Sequence, residues 1–578
     1  MNIALTARQT VLERVRRRPD VSVLIVGGGI NGAGLFRDLA LQGVDVLLVD
    51  KADYCSGASA APTRMIHGGL RYLEFGEFRL VRESVKDRDL LLRNAPHYVR
   101  PLPTVIPIFA WMSGIGSCLG RFFHLGGSRP AHRGALMVKL GLTFYDIFTW
   151  RRRLMPRHKF SSRAAALARR PLLNPALVNT ATYYDAWITY PERLCVELLL
   201  DGEEACADAM AVNYVSLQGA TGDSASLRDE HTGEMLQVRP RVVINATGAW
   251  IDLANRALGY QTKMIGGTKG AHLVLDNEDL LKALDGEMIY YETSDGRVSV
   301  ALPWQGKPLI GSTDIRVDDP DAVRCEDDEI DYILGALREV MPDLRVDRSQ
   351  ILSTFSGVRP LRYSEGKATV QISRDHHCEV IAPGEKVHFP VYCLSGGKWT
   401  TFRAFAEQVT DRLMQFFGRP RRIGTEAAVI GGGRDYPADD AAKRAWLGRL
   451  EQQTGLAQAR LLVLFDRYGT RAQQVAAFLK QAPDRPLEHH PQYSRREVEF
   501  LFRHEGVVHL DDLLLRRTAI ALLGELTGPL LDELARIAGD VFQWSEEKTC
   551  EEINHALGVL SQKHRINLER SAAGPRGK

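Results

Sequence analysis

Val21-Ser22-Val23-Leu24-Ile25-Val26-Gly27-Gly28-Gly29-Ile30-Asn31-Gly32 is the segment from which the architecture of this 578-residue chain can be worked out. Val21 to Val26 is a short, unbroken apolar run, the pattern of a strand buried on both faces of a parallel sheet. Three glycines end it. From residue 30 to 42 the apolar positions Ile30, Leu35 and Leu39 recur at helical spacing, and Gly43 closes the helix. Val44 to Val49 is a second buried strand, ending at Asp50. Together they form one β-α-β unit. Gly27-x-Gly29-x-x-Gly32 lies between strand and helix, and each glycine has its own task. Gly27 makes the tight turn, Gly29 lets a pyrophosphate approach the backbone, and Gly32 lets the helix pack on the strand. Phosphates would sit at the helix N-terminus, where free N–H groups and the dipole favour anions. Asp50, eighteen residues after Gly32, is placed to hold ribose hydroxyls. A lone GxGxxG is weak evidence. Strand, helix, second strand and acid in register make a dinucleotide site.

Two later segments favour FAD over NAD. Arg241 to Ala246 is another apolar strand, and Asn245-Ala246-Thr247-Gly248-Ala249-Trp250 ends it in small residues, as if the chain passes close to a cofactor. Ser395-Gly396-Gly397-Lys398 precedes a long helix beginning near Thr400 and running over 398–417. The N-terminus of that helix is suited to stabilise negative charge on a reduced flavin ring.

The remaining chain bounds the class. Hydrophobic residues make up 45% and charged residues 25%, which excludes collagen-like, disordered and disulfide-scaffold proteins. The eight cysteines are dispersed with no C-x-x-C pair, so neither a zinc site nor a disulfide framework is expected, and no metal. They fit a reducing, cytosolic environment. Met1 to Asp20 has no apolar core of a secretory signal; with Arg14, Arg16, Arg17 and Arg18 it reads as a solvated basic arm. Pro101 to Gly120 carries no charge but is broken by prolines and glycines, so a strand near 102–109 and an apolar loop or short helix are expected rather than a membrane span. Residues 263–275 and 297–315 alternate like antiparallel sheet. From about 421 the texture becomes helical. The domain expectation is a basic arm at 1–20, interleaved cofactor and substrate domains over 21–420, a helical C-terminal domain over 421–570 and a flexible tail at 571–578. The boundary is placed near Gly431, Gly432 and Gly433.

Ile66-His67-Gly68-Gly69-Leu70-Arg71-Tyr72-Leu73-Glu74 followed by Glu77-Phe78-Arg79-Leu80-Val81 resembles FAD-dependent glycerol-3-phosphate dehydrogenase. So do Gly357-Val358-Arg359-Pro360-Leu361, Ser373-Arg374-Asp375 and Gly396-Gly397-Lys398-Trp399-Thr400-Thr401. Glu497-Val498-Glu499, Arg503-His504-Glu505 and Arg516-Arg517-Thr518 resemble the C-terminal helical domain of that family. The likeness runs from about residue 21 to 560. It implies an α/β fold in which a Rossmann-type FAD-binding domain interleaves with an antiparallel-sheet substrate domain, followed by an all-helical domain. It implies oxidation of sn-glycerol 3-phosphate to dihydroxyacetone phosphate, with hydride transfer to flavin N5 and electrons leaving to a membrane quinone, or to oxygen in the oxidase branch. Arg71, Arg359 and Lys398 match family positions at the substrate pocket, beside Tyr72, with Arg374 as a weaker member. Arginine suits a phosphate because its planar fork donates two hydrogen bonds. His67 is the preferred base for the C2 hydroxyl and His272 the second candidate. The cofactor contacts expected are Gly27, Gly29, Asn31, Gly32, Asp50, Ser59, Thr63, Gly248, Gly397, Lys398 and Thr400.

The chain departs from the family in three places. A serine-rich run ending in lysine is replaced by Ser59-Ala60-Ala61-Pro62-Thr63-Arg64. An Asp-Ala-Arg-Leu run is replaced by Pro191-Glu192-Arg193-Leu194. Residues 112–127 look inserted. The insertion is apolar and aromatic, and it lies in a segment, 97–170, with thirteen Lys/Arg against the single acid Asp146. The net charge of the whole chain is only +3. Apolar groups beside clustered cations predict an anionic membrane contact through 108–159, a peripheral location at the inner face of the cytoplasmic membrane, and no nucleic-acid partner. A homodimer is left open. The competing readings are an oxidase of another small anionic substrate (an amine or 2-hydroxy acid) and a non-catalytic flavin-binding membrane protein.

Overall fold

In the computed structural model, which describes residues 7–69, 77–112, 134–149, 154–365 and 374–568, β1 (Asp20–Val26) is an inner strand of a parallel sheet. Its neighbours are β2 (Val46–Asp50) and the strand Met235–Asn245, both parallel to it, with Val23 opposite Val46 and Val26 opposite Asn245. Val391–Ser395 and Met210–Asn213 extend the parallel set on either side. An antiparallel ribbon, Val215–Thr221 with Ser224–Asp229, projects from it. Val23, Leu24 and Ile25 are fully buried because helices and strands cover both faces. The helix Ile30–Leu41 packs on one face with Leu35, Phe36 and Leu39.

A second, mixed sheet holds Met65–Ile66, Val99–Ile108, Asn179–Ile188, Thr268–Leu275, Met288–Glu292, Val298–Trp304, Lys307–Gly311 and Ile351–Arg359. Its pairs are antiparallel except Val99–Ile108 with Met288–Glu292. The two sheets exchange chain repeatedly, so the expected interleaving of an α/β cofactor unit with a largely antiparallel sheet is found. Behind them the helices Asp440–Thr454, Gln458–Tyr468, Ala472–Leu479, Arg495–His504, Gly528–Phe542 and Glu546–His564 build an all-helical layer around Leu461, Leu464, Leu501 and Leu534.

Two expectations need correction and one is met. The N-terminal segment is not a solvated arm. Residues Ala7–Arg17 form a helix whose Leu12 and Val15 enter the core beside Val21 and Leu236, while Arg8 pairs with the buried Asp229. An isolated helix of this length is marginal. Burying two apolar side chains, about 1.5–3 kcal/mol each, holds it. The strand expected near 102–109 runs Val99–Ile108. Pro101, Pro103 and Pro107 share one phase of the ladder, so their missing N–H groups fall on one side. The glycine run at 431–433 is buried rather than a loose linker, with Gly432 N donating to Glu197 Oε2 at 3.0 Å. Of the insertion at 112–127, only Met112 is described. Among the described residues no helix is long and apolar enough to cross a membrane.

The helical layer is tied to the cofactor unit by buried charge. Asp53, three residues beyond β2, receives two hydrogen bonds from Arg517, at 2.7 and 2.8 Å, and one from Arg516 at 2.5 Å. Arg516 also reaches Asp511 and Asp512. Burial pushes Asp53 up, and the two guanidinium groups more than offset this, holding it below the usual carboxylate range. Removing one partner leaves a buried charge. Arg517→Ala is therefore expected to destabilise the protein by about 3–5 kcal/mol in denaturant unfolding; an unchanged midpoint and slope would show that the network carries no such weight.

Candidate functional site

The glycine loop has the expected geometry. Gly27 has φ +111°, and a methyl group there would lie 2.6 Å from Ala246 O. At Gly32 a Cβ would lie 1.9 Å from Gly27 O. Helix and strand therefore meet at backbone contact. Asp50 sits beneath the loop, its carboxylate accepting from Gly28 N at 2.6 Å and Ala52 N at 2.9 Å. Burial raises its pKa to about 6, against the pull of those two N–H groups. Ser59 Oγ accepts from Ile30 N at 3.0 Å, so the hydroxyl left in the altered 59–64 segment steadies the helix start. The helix begins at Gly29 with no side-chain cap, and Asn31 Oδ1 is buried there without a hydrogen-bond partner. Gly397, φ +89°, faces Asn31, whose Nδ2 donates to Gly396 O at 3.3 Å. Gly248 has φ +63° at the end of the strand Met235–Asn245. Uncapped N–H groups, an unsatisfied amide oxygen and a carboxylate at the second strand fit the phosphates and ribose of a dinucleotide.

Around His67 the structure gathers one group of predicted residues. His67 N donates to Thr400 Oγ1 at 3.2 Å. Burial, then the charges of Lys398, Arg374 and Arg88, lower the His67 pKa to about 3, so the ring is neutral at physiological pH. Lys398 Nζ reaches Ser84 Oγ at 2.8 Å. The helix expected at 398–417 begins as a tight turn, Trp399–Thr401, and continues as Phe402–Phe416.

A second group forms on the mixed sheet. His272 is buried, stacks on Phe355 with ring centres 5.1 Å apart, and its Nε2 lies 2.9 Å from Thr63 Oγ1. Burial, then Arg359 and Arg64, bring its pKa to about 3. Arg359 donates to Asp314 Oδ1 at 3.2 Å, Ser312 Oγ at 3.1 Å and the carbonyls of Lys269 and Thr313. Of the expected cluster, Lys398 and Arg374 act on His67 and Arg359 acts on His272, and the segment from Thr63 to His67 runs between the two histidines' surroundings. Arg71 and Tyr72 lie outside the described residues.

Sequence reading missed the supports. Among the polar residues that helix Phe78–Asn94 buries are Ser84, Asp87 and Arg88 on one face. Their spacing of three and four was the available signal. Ser84 holds Lys398, and Asp87 takes Arg403 Nε at 2.9 Å. Arg88 donates to Asp185 Oδ1 at 2.9 Å and to Tyr145 Oη at 2.5 Å. The first two departures from the family meet each other. Arg64, fully buried over Trp304 at 3.9 Å, pairs with Glu192 at 3.1 Å. The neighbouring Arg193 pairs with Glu505 at 2.8 Å.

A glycine loop at the ends of a parallel sheet, set beside a mixed sheet lined with cations and histidines, defines a two-domain flavin-dependent oxidoreductase. Residues 22–412 match the family described as FAD dependent oxidoreductase, and residues 423–549 match the C-terminal domain of alpha-glycerophosphate oxidase. A glycerol-3-phosphate dehydrogenase of Synechocystis sp. is 33% identical over 93% of this chain and 96% of its own. Glycerol-3-phosphate dehydrogenase 2 of Mycobacterium tuberculosis is 30% identical over 93% and 89%. The crystal structure of the glycerol-3-phosphate dehydrogenase from Bacillus halodurans complexed with FAD shares the fold, with a TM-score of 0.74, 21% identity, and coverage of 96% of this chain and 98% of that one. The chain belongs to the FAD-dependent glycerol-3-phosphate dehydrogenase family, and FAD is its cofactor.

Gly32→Ala is expected to fold but to lose most of its FAD, because the new methyl group must push Gly27 away from the phosphate path. Flavin absorbance per mole of purified protein measures this; wild-type content would remove the close contact as a requirement.

Proposed function

We propose that the enzyme oxidises sn-glycerol 3-phosphate to dihydroxyacetone phosphate. The observation that carries this reading is His67, a half-buried imidazole acted on by the charges of Lys398 and Arg374. Bound FAD supplies the two-electron oxidant for C2. The chain supplies the remaining functions. Lys398 and Arg374 are suited to the phosphate dianion, with Arg359 on the adjoining sheet as a third cation. His67 takes the C2 hydroxyl proton on a ring nitrogen. Those cations depress the basicity of His67. A bound phosphate offsets them and raises the imidazole pKa toward its working range, so the base strengthens as substrate arrives. Thr400 and Ser84 hold His67 and Lys398 in place. Gly397, Asn31, Gly248 and Thr63 remain with Gly27, Gly29, Gly32, Asp50 and Ser59 as the cofactor-facing set, and His272 as the second substrate-facing histidine.

Anaerobic addition of glycerol 3-phosphate is expected to bleach the flavin absorbance of the wild-type holoenzyme. In His67→Ala, FAD stays bound and bleaching slows by about 100-fold or more. An unbleached wild-type flavin would reject the substrate, and normal bleaching in the variant would reject His67 as base.

Electron delivery to a membrane quinone is part of the same proposal. Helix Ala135–Thr149 has two apolar faces. Val138, Leu142 and Tyr145 enter the core beside Val81 and Val85. Leu136, Leu140, Phe144 and Ile147 are exposed, as are Trp111 and Met112 at the edge of the insertion at 112–127. Lys139, Arg157 and Lys159 are also exposed. Each basic residue near an anionic surface contributes about 1 kcal/mol, and the apolar face supplies the rest. The enzyme is expected to float with anionic vesicles at low salt, and Phe144→Glu to weaken flotation without changing the bleaching rate. Absence of flotation by the wild type would overturn the membrane reading.

A further inference from the structure

His67 is fixed from both sides. Its own N–H is held by Thr400, and the next N–H, of Gly68, donates to Asp185 Oδ1 at 3.0 Å. That same oxygen accepts from Arg88 Nη1 at 2.9 Å and from Tyr145 Oη at 2.9 Å. Arg88 is itself locked, with Nε and Nη2 on Asp89 Oδ1 at 3.0 and 2.8 Å. The four groups come from four places: the His67 segment, helix Phe78–Asn94, helix Ala135–Thr149 and strand Asn179–Ile188. Asp185, Arg88 and Tyr145 are all buried. The fit leaves no slack, since a Cβ on Gly68 would lie 2.1 Å from Tyr145 Oη.

A buried ion pair is poor evidence of a stabilising role, because an apolar replacement of similar volume is often as stable or more so. The arrangement therefore calls for another reason. We propose that Asp185 is a positioning residue for the reaction: braced by Arg88 and Tyr145, it grips Gly68 N–H and sets the height and angle of the His67 imidazole. Helix Phe78–Asn94, which carries Arg88, also carries Ser84, which holds Lys398. One helix thus braces both the base and the candidate phosphate anchor. A reacting group displaced by about 1 Å loses on the order of 100-fold in rate, so a backbone grip next to the base has large leverage. The inference rests on the reading of His67 as base, and deepens it.

The test uses FAD-loaded full-length enzyme. Asp185→Asn keeps the shape and removes the charge; Tyr145→Phe removes only one donor. Melting temperature, FAD content, and kcat and KM per bound flavin are measured for both variants and for the double variant. The expected result is retained FAD, a fall in kcat of at least ~10-fold for Asp185→Asn and a smaller fall for Tyr145→Phe, with KM changing less than kcat. The double variant should lose no more than Asp185→Asn alone, because both act through one oxygen. Wild-type kcat per flavin in both variants overturns the proposal, as does activity that falls only in step with lost FAD or lost fold. An unbleached wild-type flavin would instead reject the underlying function, so the two failures are distinguishable.

Discussion

Backbone meets backbone at Gly27 so closely that a single methyl group has no place. Strand Asp20–Val26, helix Ile30–Leu41 and the end of strand Met235–Asn245 converge on this point, and the atoms in contact are carbonyls, not side chains that could move aside. The parallel order of the sheet, the direction of the helix and the cofactor path all follow from that approach. Gly29 supplies no side-chain cap, and apart from Ile30 N, which Ser59 Oγ takes, the first N–H groups of the helix are suited to an anion. Asp50 then closes the loop from below through Gly28 N.

Buried charge does the second part of the organising. Asp53 with Arg516 and Arg517, Arg193 with Glu505, and Arg64 with Glu192 each join segments distant in sequence. The first two bind the helical layer to the cofactor unit, and Asp53 is only three residues from Asp50, which holds Gly28 N. The helical layer is therefore a direct support of the dinucleotide loop. Arg64 and Glu192 replace residues that the family usually has there, and each supplies the charge the other needs in a buried site. Departures that look unrelated in sequence are one packed pair.

The electrostatics of the basic segment also resolve into parts. Arg169 and Arg170 are matched by Glu287, and Asp285 also pairs with Arg169, so some of the excess is neutralised across the fold. Among the described residues Lys139, Arg157 and Lys159 are exposed in the same stretch of chain as the exposed apolar face of helix Ala135–Thr149. At the other end of the same helix cross-section, Tyr145 points inward to Asp185. Inward and outward faces of one short helix thus serve the site and the proposed lipid contact.

The sequence by itself determined the β-α-β unit, its glycines and Asp50, because strand and helix periods are local and a backbone turn with no room for a Cβ leaves only glycine. It also determined the family, through long ordered motifs, and the change to helical texture after residue 421. It did not reveal that Ala7–Arg17 docks as a helix, since two apolar residues among arginines become a core face only when the sheet offers them a partner. Nor did it show that the predicted cations divide between a His67 group and a His272 group, or that Ser84, Arg88, Tyr145 and Asp185 support them. Those residues lie up to a hundred positions apart, and a hydrogen-bond network has no sequence period. Only the tertiary structure brings the Gly68, Arg88 and Tyr145 donors to one Asp185 oxygen and Lys398 to Ser84, because long-range packing decides which buried polar groups meet.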